Sequence, residues 1–211
     1  MQGRFVVIEG VNGGGKSTAM EGIKNYLIGK KQEYRHSREP GGSPVGERIR
    51  ALLLEGKEAG SFPITEVLLF AAARHQHIME VIKPTLAEGK YILCDRYVPS
   101  SISFQGYGQG ITIDVIKKIN DEATQGVIPD LTIILDLDPA IAAKRIAERN
   151  GEADKYEGFD LAFQNRVRQG YLDQANIPEI GGRGKFVVVD ASQPAEAVLA
   201  ECIKWLKHYD L

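Results

Sequence analysis

Gly10-Val11-Asn12-Gly13-Gly14-Gly15-Lys16-Ser17 matches the pattern G-x-x-x-x-G-K-[ST], and the residues on either side decide what it means. Phosphate groups are highly charged and strongly hydrated, so holding them takes many donors at short range. Gly10, Gly13, Gly14 and Gly15 keep side chains out of the way, so successive backbone N–H groups can turn inward around an anion. Lys16 adds a mobile positive charge for outer phosphates, and the Ser17 hydroxyl is placed to ligate Mg2+. Ahead of the loop, Phe5-Val6-Val7-Ile8 is a short apolar run of strand type. Behind it, Ala19, Ile23, Tyr26 and Leu27 recur at helical spacing. Strand, glycine loop and helix follow in the order a nucleotide site requires, with the helix N-terminus facing the phosphates. A plain Gly-rich turn needs neither flank.

The same alternation runs down the chain. Glu33 to Ser37 reads as a weak strand, ending in Arg38-Glu39-Pro40-Gly41-Gly42. Val45 to Leu54 and Thr65 to Ala87 read as helices, and Tyr91-Ile92-Leu93-Cys94 as a buried strand closed by Asp95-Arg96. Tyr97 to Gly110 is polar and Gly-rich and reads as a loop. A helix near Ile113 to Thr124, a strand from Leu131 to Leu135 and a helix from Pro139 to Arg149 follow. Asn150 to Gly158 is a candidate lid, before a helix at about Asp160 to Ala175, a strand from Phe186 to Val189 and a helix from Pro194 to Lys207. Such alternation predicts an α/β nucleotide-binding fold, a mainly parallel sheet with helices on both faces.

Composition sets wider bounds. The 211 residues, 43% of them hydrophobic, suit one domain with a full core. A net charge of −2 gives no sign of a general nucleic-acid binder. Two cysteines, Cys94 and Cys202, are too few for a disulfide framework and too isolated for a metal site. The chain enters a strand almost at once and has neither a signal-peptide core nor an apolar run of membrane-spanning length, so the expectation is a cytoplasmic protein away from membranes.

Several residues are candidates for chemistry. Asp95 follows a strand and so sits at the sheet edge where ligands bind; its carboxylate can hold Mg2+ or orient an attacking oxygen, and Arg96 can neutralise a phosphate. A simple strand-end ion pair is the alternative. Phe70 and Arg74 lie four apart on one helix face, an aromatic plane beside a forked donor that could take a flat base; on pattern alone Phe70 is more often simple core. Ser100, Ser101, Phe104 and Gln105 lie in the loop after Asp95, where hydroxyl and amide groups could read a base or a phosphate; a generic loop would contain the same residue types. His75 and His77 have no metal-ligand companion and read as exposed or locally bonded. Asp138 with Pro139 reads as a helix cap rather than a ligand pair. Arg145, Arg149 and Lys155 could bring a cation onto a transferring phosphoryl group, or form a solvated helix face.

The glycine loop, REPGG, FAAAR, CDRY, SSISFQG and VRQGYL, in this order, give nearly the whole chain a resemblance to the thymidylate kinases. That resemblance implies a P-loop NTPase-like three-layer fold, with a five-stranded parallel sheet flanked by helices and a small lid at about 145–158. It also implies Mg2+-dependent transfer of the ATP γ-phosphoryl group to dTMP, by a homodimer. By matching motif it assigns Gly10, Asn12, Gly13, Gly14, Gly15, Lys16, Ser17, Thr18 and Arg145 to ATP, and Ser17 and Asp95 to the metal. It assigns Asn12, Arg38, Pro40, Arg50, Phe70, Arg74, Arg96, Ser101, Phe104, Gln105 and Tyr156 to dTMP, with Glu157 reaching in from the lid. Phe70 would stack on thymine, Arg74 would bond its edge, and an aromatic at Phe104 would disfavour a 2′-hydroxyl. Lys16, Asp95, Arg96 and Arg149 would carry catalysis.

The chain resembles the bacterial lid-arginine type, with two departures. Asn12 stands where the family usually has a loop carboxylate for the sugar 3′-hydroxyl. Asp154-Lys155-Tyr156-Glu157 stands where the lid usually has an arginine second, which leaves Arg149 as the candidate cation. A kinase of the same architecture for another nucleotide, a nucleoside or a small metabolite is the nearest rival, and a non-catalytic nucleotide-binding regulator a more distant one. No N-K-x-D guanine-reading motif is present, which disfavours a GTPase.

Overall fold

Five parallel strands stand side by side in the order β2–β3–β1–β4–β5 in the computed structural model, which describes residues 3–54, 62–148, 156–182 and 184–211. They are β1 (Arg4–Glu9), β2 (Tyr34–Arg38), β3 (Tyr91–Asp95), β4 (Leu131–Asp136) and β5 (Phe186–Asp190). The three inner strands are almost continuously apolar because both of their faces are covered by helices. At the β5 edge the pattern changes to alternation: Val187 and Val189 are buried and Val188 is exposed.

Adjacent strand residues point to opposite faces, which divides the core in two. Val6, Ile8 and Leu93 pack with Ile23 and Leu27 of α1 (Lys16–Gly29), and the same cluster takes in Val198, Cys202 and Leu206 of α10 (Ala195–His208). Phe5, Val7, Ile92 and Cys94 pack on the other face, against Ile78, Val81, Ile82 and Tyr97. The result is three layers, helix–sheet–helix. Between α1 and α10 the chain forms α2 (Pro44–Leu54), α3 (Pro63–His77), α4 (Lys83–Ala87), α5 (Val98–Ser101), α6 (Ile113–Thr124), α7 (Pro139–Ala147), α8 (Leu161–Asn176) and α9 (Pro178–Gly181). None of the described helices is long and apolar enough to cross a membrane.

Register puts the chemistry at one edge. Ile8 lies opposite Asp95, Arg38 opposite Asp95 on its other side, and Glu9 opposite Ile134. The last residues of β1, β2 and β3 therefore share the carboxyl end of the sheet, from which the glycine loop departs.

Two expected elements differ. The helix expected over 65–87 is three pieces, with a π-helical turn at Ile78–Ile82 between α3 and α4. Pro84 lies in the first turn of α4; it lacks an N–H and its ring crowds the carbonyl four residues back, so the chain widens before it. The loop expected over 97–110 is largely helical, α5 running into a π-helical segment at Ile102–Gly108. Its glycines serve close packing: a Cβ on Gly106 would meet Ile113 Cδ1 at 2.5 Å and one on Gly108 would meet Phe163 Cε2 at 2.6 Å. Asp138 caps α7 as expected, accepting from the Ala140 N–H at 2.7 Å with Pro139 at the first position. Arg149 and most of the expected lid, including Lys155, lie outside the described residues.

Candidate active site

The glycine loop takes a shape open only to residues without a side chain. Gly10 has φ 137°, and a Cβ there would stand 2.5 Å from the Leu135 carbonyl oxygen. Gly13 has φ 75°, with the Ala142 carbonyl 2.7 Å from a notional Cβ. Gly15, φ 85°, leads into α1, so the free N–H groups of that helix point across the loop. The buried Lys16 ammonium folds back to donate to the Gly10 and Val11 carbonyls at 3.1 and 3.0 Å. Ser17 and Thr18 are exposed at the helix start. One cavity beside the loop is lined by Gly13, Gly14, Gly15, Thr18 and Arg145, together with Gln193 and the 191–198 segment. Arg145 Nη2 donates to the Ala191 carbonyl at 3.2 Å, so this arginine belongs to the loop side of the site.

A second cavity opens at the ends of β2 and β3. It gathers Asn12, Pro40, Arg50, Phe70, Arg74, Arg96, Ser100, Ser101, Phe104, Gln105 and Tyr156, all expected from sequence, together with Glu39, Leu54 and Tyr97. Arg38 is not among the lining residues; it is exposed and donates to Glu47 Oε2 at 3.1 Å. Glu157 lines a neighbouring cavity with Asn12. The Tyr156 ring meets Phe104 edge-on at 5.4 Å and Phe70 at a 52° tilt, and its hydroxyl donates to the buried Glu66 at 2.8 Å.

Arg96 ties the second cavity to the glycine loop. Its backbone is left-handed, φ 72°, which turns the side chain back over the loop. Nη1 donates to the Gly10 carbonyl at 3.1 Å, Ser100 Oγ at 3.1 Å and the Tyr171 hydroxyl at 2.7 Å, while Nη2 donates to Asn12 Oδ1. Beneath it lies Glu9, fully buried, accepting from the Tyr97 N–H at 2.7 Å and Ser100 Oγ at 2.7 Å. Burial lifts the Glu9 carboxyl above its ordinary value, opposed by the Arg96 guanidinium. Burial likewise keeps the Tyr171 phenol protonated far above its usual range. Sequence reasoning missed Glu9, although a carboxylate ending an apolar strand just before the glycine loop was a usable signal.

The Pro40 turn is pinned from behind. The Glu39–Pro40 peptide is cis. Glu47 accepts from the Gly42 N–H at 2.9 Å, a bond that holds its carboxyl below the ordinary range, and Arg50 Nη1 donates to the Pro40 carbonyl at 2.8 Å. Glu39 is buried against Arg74, Oε2 accepting from Nε at 2.6 Å. His77, expected to be exposed or locally bonded, is instead wholly buried and bonds across the fold, to Glu39 Oε1 at 3.0 Å and Ser37 Oγ at 2.6 Å. His75 is exposed, as expected, with its ring bonded to the Ala123 carbonyl.

Asp95 ends β3, with Oδ1 buried and without a hydrogen-bond partner among the described residues, a hard oxygen that fits a role beside a divalent cation. The glycine loop and the second cavity, tied together by Arg96, suit two anionic ligands held close together.

The family model described as thymidylate kinase matches residues 8–202. The thymidylate kinase of Desulfovibrio desulfuricans is 40% identical over 212 residues, covering 97% of this chain and 95% of its own. That of Latilactobacillus sakei is 40% identical over 214 residues, covering 100% and 98%. The crystal structure of thymidylate kinase from Ehrlichia chaffeensis superposes with a TM-score of 0.76 at 32% identity, covering 98% of this chain and 99% of its own. Coverage is nearly complete in both chains, and the glycine loop and the second cavity lie within the matched span: the chain belongs to the thymidylate kinase family.

Proposed function

We propose that the protein transfers the γ-phosphoryl group of ATP to dTMP, giving ADP and dTDP. The observation that carries this reading is the second cavity: a half-buried aromatic, Phe70, and a buried guanidinium, Arg74, beside Arg50 and Arg96, at the sheet edge where the glycine loop starts. Phe70 stacks on the base and Arg74 donates to its edge. Arg50 and Arg96 face the monophosphate, and Phe104 and Gln105 enclose the sugar. Gly10, Gly13, Gly14, Gly15 and Lys16 hold the outer phosphates of ATP, with Asn12 at the junction, while Thr18 and Arg145 close the loop-side cavity.

In the transfer an oxygen of the dTMP phosphate bonds to the γ-phosphorus as the bond to the ADP oxygen breaks. Lys16 and Arg96 offset charge on the oxygens involved; Arg96 is held by Gly10, Ser100 and Tyr171 before substrate arrives, whereas Lys16 leaves the Gly10 and Val11 carbonyls to reach a phosphate. Ser17 and Asp95 would hold Mg2+, which supplies charge neutralisation and alignment of the phosphates. Arg149 would add the lid cation. Tyr156 fills much of the space between Phe70 and Phe104: the cavity is about 80 Å3, against roughly 300–1,000 Å3 for ordinary ligand sites. Binding of dTMP therefore moves Tyr156 off Glu66.

We further propose that one domain does this work as a homodimer in the cytoplasm. The exposed Leu52, Phe62 and Leu68 on α2, α3 and the residue before α3 supply an apolar face for self-association. Chromatographic detection of dTDP from dTMP and ATP, with and without MgCl2, tests the reaction; no dTDP with Mg2+ present would refute it. Light scattering tests the dimer, whose mass should fall to that of one chain in Leu68→Glu.

A further inference from the structure

Arg74 has five N–H bonds, and the protein uses three of them. Nε–H goes to Glu39 Oε2 at 2.6 Å, and the two hydrogens of Nη1 go to Ser101 Oγ at 3.2 Å and Asn120 Oδ1. Nη2 makes no hydrogen bond with the described residues, and Arg74 lines the acceptor cavity. A carboxylate beside an arginine normally takes two parallel bonds, here from Nε and Nη2. Glu39 does not, because its second oxygen accepts from His77 Nδ1 at 3.0 Å. On the other side of the ring, His77 Nε2 shares a hydrogen bond with the Ser37 hydroxyl at 2.6 Å. The Pro40–Gly42 turn seals this chain: a Cβ on Gly42 would stand 2.6 Å from both His77 Cδ2 and Ser37 Oγ.

We propose that His77 and Asn120 are positioning residues that determine acceptor specificity: His77 keeps Glu39 Oε1 away from Arg74 Nη2, Asn120 fixes Nη1, and Nη2–H2, without a partner among the described residues, is left for the base in the cavity that Arg74 lines. This rests on the assignment of Arg74 to the pyrimidine edge. A fixed N–H donor accepts a base that presents a carbonyl oxygen at that edge, and opposes one that presents an amino group, because donor then meets donor. If His77 loses its N–H, Glu39 can swing its second oxygen onto Nη2. The carbonyl base then loses its partner and the amino base its repulsion.

Steady-state ADP release with dTMP and with dCMP tests this in the wild type, His77→Leu, His77→Gln and Asn120→Ala. In His77→Leu the KM for dTMP should rise about tenfold, the worth of one hydrogen bond to a charged group. The dTMP-to-dCMP ratio of kcat/KM should narrow by about as much, with the KM for ATP unmoved. His77→Gln, whose amide N–H can still hold Glu39, should restore the ratio to within about twofold. Asn120→Ala should narrow the ratio as well, and it decides the matter if His77→Leu has no cooperative melt. A ratio unmoved in the folded variants, or equal losses for both acceptors, overturns the positioning role alone. A wild type that turns over dCMP but not dTMP overturns the thymidylate reading and this inference with it.

Discussion

Asn12 holds the glycine loop through a single atom. Arg96 Nη2 donates to Asn12 Oδ1, so the residue ties that loop to the arginine proposed to face the acceptor phosphate. A carboxylate there would add charge both for that arginine and for a sugar hydroxyl. Asn12→Asp should therefore lower the KM for dTMP; an unchanged or raised KM would mean that Arg96 absorbs the new charge. For the lid, Arg149→Ala should reduce kcat far more than Lys155→Ala, since only an arginine can make the forked contact with phosphoryl oxygens; equal losses or the reverse order would reassign the cation. Phe70 and Arg74 were legible because their four-residue spacing puts them on one helix face. Glu39, His77 and Asn120 were not, because their bonds span 35 to 46 residues and depend on how β2, α3 and α6 meet. Arg38 shows the converse: its motif was legible, but the side chain turns to Glu47 outside the cavity.

Among elements, the loop between β1 and α1 depends most on its backbone. Gly10→Ala combines a positive φ with a 2.5 Å clash against the Leu135 carbonyl, whereas Gly15→Ala has a positive φ and open space around it. The second should cost only the left-handed penalty, about 1–2 kcal/mol, and the first distinctly more, with loss of ATP binding; thermal melts of the two variants check the order. The Pro40 turn should loosen in acid. Glu47 titrates below its ordinary value of 4.5 in the fold, so its ionised form is favoured there; the stabilisation is present above that value and lost as pH falls through the folded one. Exchange of the Gly42 amide should accelerate over that window, and Glu47→Gln should remove the pH dependence. The inner strands were legible because burial on both faces leaves an unbroken apolar run. The 97–110 segment was misread because its glycines look like turn formers, while the fold uses Gly106 and Gly108 to bring it against α6 and α8.

At the scale of the molecule, one sheet edge holds the glycine loop and the second cavity, tied together by Arg96, on a sheet with helices packed on both faces. The core is closed tightly enough to silence both thiols. Cys94 and Cys202 are fully buried, and burial pushes the first well above its usual range and the second up to about 12. Neither should react with an aromatic disulfide reagent at pH 8 in the native protein, and both should react in guanidinium; a fast native phase would reveal local opening at β3 or α10. The most direct test of the whole account is ADP release from MgATP with dTMP, dUMP, UMP, CMP, AMP, thymidine and shikimate as acceptors. Turnover with dTMP well above every other acceptor is the expected result. Tight MgATP binding without turnover on any of them, or a preference for a purine nucleotide or a non-nucleotide, would contradict it.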